Sequence, residues 1–303
     1  MIDTATTLLE AMVRTATPLA LAALGETVSE RAGVINLGME GAIIGGCLGA
    51  VVGSLAGGAA LGVAAGMAAG ALVAAVFAVF AVGLRADQII TGTAITLGAY
   101  GATGALYRIW FGESGVTLTL ATMSPIRIPF LAAIPLIGPA FFHQAMLTYA
   151  AYGLTAVLAW WLFRTQSGLG LRACGDHPWA AEASGVSVAR VRWIAVVGGG
   201  SLGGLAGAFL VLSQVGTFAE QMSAGRGFMA VAIVALGRWT PWGALGAALL
   251  FGAATALQYQ IQALGLDLPY QLFLALPYVL TLTVLALGAG RGRAPAALGS
   301  AYP

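Results

Sequence analysis

A chain of 303 residues that is 59% hydrophobic and only 8% charged cannot clothe a water-facing surface, since soluble domains carry about 25% charged residues and need a mixed charged exterior. Thirteen arginines, no lysine and eleven acids leave a formal net charge of +2, spread thinly along the chain, so no basic patch for nucleic acid is expected. The solvent that fits is the lipid bilayer, and apolar blocks recurring from end to end predict an all-α, polytopic transmembrane helical bundle forming one membrane domain, residues 1–303.

In chain order, residues 5–24 are the first apolar stretch. Asp3 and Glu10 precede the first arginine, Arg14, so the segment lacks the positive start of a secretory signal even though Ala20-Leu21-Ala22 resembles a cleavage site. It is read as a retained helix. Glu10 and Arg14 stand one helical turn apart and are expected to pair inside it. Residues 41–84 then run without a single charge. At about 1.5 Å per residue this run is twice too long for one crossing of a hydrocarbon core about 30 Å thick. Two helices are therefore predicted, turning at Gly57-Gly58.

Further uncharged blocks at 88–107, 145–163, 193–219, 239–266 and 268–290 are each long enough to span. Residues 221–238 would span with their arginines near the polar edges. The expectation is about nine spans, with eight to ten possible on this reading. Arg164, Arg172, Arg190 and Arg192 between the spans, and Arg291 and Arg293 in the tail, place both regions in the cytoplasm. Residues 108–144 then fall outside, and Pro125, Pro129, Pro135 and Pro139 suit an irregular extracytoplasmic loop with room for one short surface helix.

Glycines at 41, 45, 49, 53 and 57, at 62, 66 and 70, and at 199, 203 and 207 recur on single helix faces, where a missing side chain lets another backbone approach. They are expected to hold the bundle together, the lesser reading being smooth faces that let helices slide during gating.

Several chemistries are excluded. A phosphate-binding loop ends in Lys and Ser or Thr, and the chain has no lysine. His143 and His177 are far apart on opposite predicted sides, so no metal cluster is expected. Cys47 and Cys174 lie in dissimilar settings and are not expected to form a disulfide. No Ser, His and Asp arrangement suggests an enzyme. Glu40 is the acid set most clearly within apolar sequence, with Glu10 a weaker case. It follows residues 33–39, which read as a broken helix entering the membrane, and is either an ion site or a helix-end acid satisfied by a neighbour. Asn36, Glu40, Gln88 and Gln221 are the candidate polar groups of a translocation pathway.

Residues 164–192 are the most polar stretch. Asp176 is expected to cap a short helix with Pro178 in its first turn, Glu182 close behind and Gly185 ending it, while Ser187 caps the next membrane helix. Such a helix is either a docking device for another protein or an ordinary connector.

Three segments resemble one family. GETVSERAGVINLGMEGAIIGG (25–46), GLRACGDHPWAAEASGVSVARVRW (170–193) and GRGFMAVAIVALGRWTPWGALGAALLFG (225–252) are similar to the permeases of bacterial ABC importers of the nucleoside and simple-sugar type, relatives of the branched-chain amino acid permeases. The resemblance implies an importer permease fold in the bacterial plasma membrane. It places Arg172, Asp176, Pro178, Ala181, Glu182 and Gly185 in the loop that couples to the ATPase, although His177 stands where that family often has Asn. It further implies a cytoplasmic ATP-binding subunit that holds ATP and Mg, a second permease subunit (homologous or identical), an extracytoplasmic substrate-binding lipoprotein, and no cofactor on this chain. A secondary transporter with Glu40 as its ion site, and a non-transporting membrane scaffold, are the alternatives.

Overall fold

The structure, a computed structural model, describes residues 2–112, 119–263 and 294–302, together with positions 275, 279, 283 and 286. Helix α1, Ile2–Arg31, continues past the predicted end at residue 24, because the polar run Glu26 to Glu30 is buried against protein. Helix α2, Met39–Ala78, is two limbs interrupted at Gly57 and Gly58, and it runs on through a π-helical turn at Val79–Gly83. Gly58 takes φ 82° and ψ −176°, a conformation essentially open only to glycine, so the long uncharged run folds back where the sequence predicts.

Helix α3, Gln88–Phe111, starts at Asp87, whose carboxylate accepts the amides of Ile89 and Ile90 at 2.9 Å each. The proline-rich region after it holds the two-residue strands β1, Ile126–Arg127, and β2, His143–Gln144, paired antiparallel around the short helix α4, Ile137–Phe142. Then come α5, Met146–Arg164; α6, Gln166–Asp176; α7, Pro178–Ala183; and α8, Val188–Phe209, which continues as a π-helical stretch Leu210–Val215. Helices α9, Arg226–Leu236, and α10, Pro241–Ala263, follow.

Six described helices are long and apolar enough to cross a membrane, one of them Met39–Gly83 with 45 residues. Its break at Gly57-Gly58 divides that helix into two limbs, each about long enough to cross a bilayer core. The predicted span at 268–290 and the arginines at 291 and 293 lie outside the described residues. Residues 221–238 differ from expectation. Helix α9 has 11 residues, about 16 Å at 1.5 Å per residue, which is half a bilayer core. Residues 216–225 before it are not helical. Gln221 at φ 59°, Ala224 at 48° and Gly225 at 79° hold left-handed conformations that a right-handed helix cannot pass through.

Helix α8 runs against α1 and both limbs of α2, with glycine at the contacts. A Cβ at Gly46 would lie 2.5 Å from the Cα of Gly204, and one at Gly207 would lie 2.7 Å from the amide nitrogen of Cys47. The face at Gly49 and Gly53 instead meets the second limb of α2, where Cβ atoms would approach the carbonyl oxygens of Ala65 and Leu61 at 2.7 and 2.6 Å. Close backbone approach of this kind supplies the dispersion contact that holds helices together in lipid.

Two faces follow from the contacts. Residues 294–302 return to the end of α1 and to α6, with Gly299 donating to the carbonyl of Gly33 at 3.1 Å and Ala297 to that of Gly175 at 2.8 Å. On the opposite face, Leu120 and Met123 donate to the carbonyls of Gly216 and Leu212, each at 2.7 Å, and Gln214 Nε2 to that of Arg14.

Candidate functional site at the crossing of two broken helices

Two interrupted segments meet inside the bundle. The first is 32–38. Gly33, at φ 93°, reverses the chain after α1, and Asn36 donates its amide to Glu26 Oε1 at 2.8 Å. Because Glu26 lies more than a turn before the end of α1, the segment runs back alongside that helix, and α2 begins within the protein. The second is 216–225, which delivers the chain to the N-terminus of α9.

Glu40 joins them. It sits in the first turn of α2, fully buried. Its Oε1 accepts the amide of Gly225 at 2.8 Å and the hydroxyl of Tyr100 at 2.6 Å, and its Oε2 accepts the amide of Gly227 at 2.5 Å. The first amides of a helix have no partner within it and carry partial positive charge, so a carboxylate from α2 caps α9. Gly227 has to be glycine, since a Cβ there would lie 2.5 Å from the Cα of Glu40. Arg226 turns back on itself, donating to the carbonyls of Met222 and Ser223 at 2.9 and 3.0 Å.

The other pathway candidates separate. Gln88, buried, accepts the amide of Ile35 at 2.9 Å and so holds the first broken segment, as does the amide of Asn36. The side-chain oxygen and nitrogen of Asn36 are buried with no hydrogen-bond partner. Gln221 is exposed in the turn before α9, away from this group.

Sequence reading missed Glu26 and Glu30. Both are buried, one turn apart on α1, and Glu26 Oε2 and Glu30 Oε1 have no hydrogen-bond partner. Glu30 Oε2 accepts the indole N–H of Trp239 at 2.5 Å, and Arg31 Nε donates to the carbonyl of Trp239 at 2.6 Å. Those bonds hold Arg238 and Trp239 at φ 54°, a costly conformation for bulky residues. The available signal was the four-residue spacing of the acids, which puts both on one helix face.

On the face of the returning tail, α6 and α7 are successive short helices. Asp176 is the last residue of α6 and does not cap α7, contrary to expectation. The residue at the cap is His177, at φ −142° and ψ 77°, with no side-chain capping bond. Pro178 disfavours helical geometry in the residue before it, so the break falls at His177. Gly185 at φ 86° follows the end of α7, with its amide bonded to the carbonyl of Glu182 at 2.8 Å. Ser187 precedes α8 without making a capping bond. Ala181 is buried beside Cys174 and Val188, while Trp179 is 65% exposed and Glu182 is also exposed. The Arg172 guanidinium lies 5.1 Å from the centre of the Phe163 ring. Both cysteines are free, and burial pushes the Cys174 thiol up.

At the opposite face a cavity of about 380 Å³ is lined by Glu10, Arg14, His143, Gln144 and Ser213 among others. Glu10 and Arg14 do not form the expected ion pair. Among the described residues the ion pair that forms joins Arg108 to Glu220 at 3.2 Å, where both side chains are more than half exposed, so it contributes little to stability. Among the described residues no group of three His, Cys, Asp or Glu side chains is placed to hold a metal ion.

Residues 8–285 match the family described as branched-chain amino acid transport system / permease component. The chain is 37% identical over 297 residues to a guanosine ABC transporter permease of Bacillus subtilis, covering 95% of this chain and 93% of that protein. It is 34% identical over 297 residues to a nucleoside ABC transporter permease of Lactococcus lactis, covering 94% and 93%. It is 37% identical over 262 residues to a putative glucose ABC transporter permease of Haloferax volcanii, covering 86% and 79%. No solved structure matches.

Proposed function

This chain belongs to the branched-chain amino acid transport system / permease component family, as the multi-pass permease subunit of an ABC importer, and from that premise we propose that it carries nucleosides inward, driven by ATP on a partner subunit. The relatives named for guanosine and nucleosides match over nearly the full length, which favours a nucleoside over a simple sugar. The face that holds α6, α7 and the returning tail is cytoplasmic in this reading, in line with Arg164, Arg172, Arg190 and Arg192.

The docking element is α7. Pro178 starts it, Gly185 ends it, Ala181 seats it on Cys174 and Val188, and Glu182 faces outward to the ATP-binding subunit. Arg172 and Asp176 belong to α6, which supports it. ATP and Mg are bound and hydrolysed on that partner; a second permease subunit faces this one, and an external lipoprotein delivers the cargo.

The observation that carries the mechanism is the Glu40 carboxylate holding the start of α9 from the first turn of α2. One broken segment, 32–38, is bonded at Gly33 to the cytoplasmic tail and leads directly to Glu40. ATP-driven closure of the partner moves α7, the movement reaches Glu40 through residues 31–38, and the two half-helices change their crossing to open the pathway. Asn36 and Gln88 hold the segment that moves, and Gln221 stands at the outer approach to α9. A gradient-driven carrier with Glu40 as its ion site would have to take that carboxylate from three protein donors.

Proteoliposomes test this reading. Nucleoside uptake should need the ATP-binding subunit, ATP and the binding protein, and should survive collapse of ion gradients. Gradient-driven uptake by this chain alone would overturn it.

A further inference from the structure

Residues 294–302 do more than end near the cytoplasmic face. Tyr302 donates its hydroxyl to the carboxylate of Glu182, and its ring centre lies 4.9 Å from that of Trp179. Trp179 and Glu182 are three residues apart on one face of α7, so a single side chain grips the outer surface of the docking helix. Helix α7 has six residues, too few to be stable alone, and it depends on such contacts for its position. That hydrogen bond pushes the Tyr302 hydroxyl up to about 12, and at physiological pH the phenol is protonated, as any tyrosine near its ordinary value is.

Next to Tyr302, the same run is tied to the first broken segment. Arg192 donates through Nη1 to the carbonyl of Ser300 at 2.8 Å and through Nε to that of Ala32 at 3.1 Å, and its guanidinium lies 5.9 Å from the centre of the Tyr302 ring. Gly299 bonds to Gly33, and Ala297 to Gly175 at the end of α6. One covalent run, residues 294–302, therefore touches α6, α7, the base of α8 and the turn at Ala32-Gly33 from which the chain proceeds to Glu40.

We propose that residues 294–302 form a strap that transmits movement of α7 to the broken segment 32–38, with Tyr302 and Arg192 as its positioning residues. The inference rests on α7 being the docking helix. A displacement of α7 pulls on Tyr302, the strap carries it to Ser300 and Gly299, and Arg192 passes it to Ala32. Direct contact of α6 with residues 31–33 at Gly175 gives the strap a firm base to move against.

The test uses the full complex of permeases, ATP-binding subunit and binding protein in proteoliposomes, comparing Tyr302→Ala, Tyr302→Phe and Glu182→Arg. Tyr302→Ala should leave the ATP-binding subunit attached yet reduce uptake per ATP hydrolysed about fivefold. Tyr302→Phe keeps the ring on Trp179 and should fall between Tyr302→Ala and wild type; if the alanine variant does not accumulate, Tyr302→Phe decides by the same ratio. Tyr302 packs on the cluster around Cys174, so maleimide should label Cys174 faster once the ring is removed, a readout independent of transport. Wild-type uptake per ATP in the Tyr302 variants, alongside loss of the ATP-binding subunit in Glu182→Arg, would refute the strap and leave the docking helix standing. No effect from Glu182→Arg would remove the docking reading and the strap with it.

Discussion

Gly227 donates its amide to Glu40 Oε2 at 2.5 Å across the point where two interrupted helices begin. The bond places a buried carboxylate from one half-helix on the positive end of another. Replacing Glu40 with Ala strands the amides of Gly225 and Gly227 in the protein interior, at a cost of about 2–4 kcal/mol. The thermal unfolding midpoint of the detergent-purified subunit should fall accordingly. An unchanged midpoint would mean that the amides find other acceptors.

Glycine contacts should divide sharply by location. Gly46→Val forces side-chain atoms against the backbone of Gly204 and should destabilise the α2–α8 contact by about 1–3 kcal/mol. A methyl group added at Gly98 would meet nothing within 4 Å, so Gly98→Ala should be neutral, or stabilising by up to about 1 kcal/mol through helix propensity. Parallel thermal melts of the two variants check the contrast.

Trp239→Phe removes the indole N–H from Glu30 while keeping most of the ring. It should cost about 1–3 kcal/mol, because Glu30 Oε2 is left buried without a donor and the backbone at Arg238 and Trp239 loses one of its restraints. Hydrogen exchange should rise at residues 237–240 in this variant; exchange equal to wild type would show that Arg31 alone suffices.

Much of this fold was legible because its signals are coarse. An uncharged run twice the thickness of a bilayer core has to turn, and paired glycines mark where. Gly185 and Pro178 punctuate α7 by backbone chemistry that is local to them. The crossing at Glu40 was only half legible. An acid in apolar sequence flags a special site, but its partners, Gly225 and Gly227, are nearly two hundred residues away and offer backbone amides, which leave no mark in side-chain chemistry. Residues 221–238 misled for a related reason. Their apolar composition fits a span, while the left-handed turn at Gln221, Ala224 and Gly225 is held by long-range contacts. Glu26 and Glu30 were passed over because a polar run at the end of an apolar stretch reads as an interface, and its burial depends on α8, α9 and the turn at Trp239.

Cys174 reports on the packing of α6 and α7. Burial raises its thiol above the ordinary range, so the reactive thiolate is scarcer than for a free cysteine at neutral pH. Maleimide labelling of the folded protein at pH 7 should be far slower than after denaturation and should climb as the pH is raised. Rapid labelling at pH 7 would place Cys174 in solvent and unseat Ala181 from its contact.

If ATP-driven movement at α7 reaches a transport pathway controlled at Glu40, the two activities should come apart when that carboxylate is altered. Uptake and ATP hydrolysis are best measured together on the reconstituted Glu40→Gln complex, a substitution that preserves volume but turns an amide group toward the amides of α9. The ATP-binding subunit should stay bound and hydrolyse ATP while nucleoside uptake per ATP falls about tenfold. Wild-type uptake per ATP in that complex would show that the pathway is controlled elsewhere.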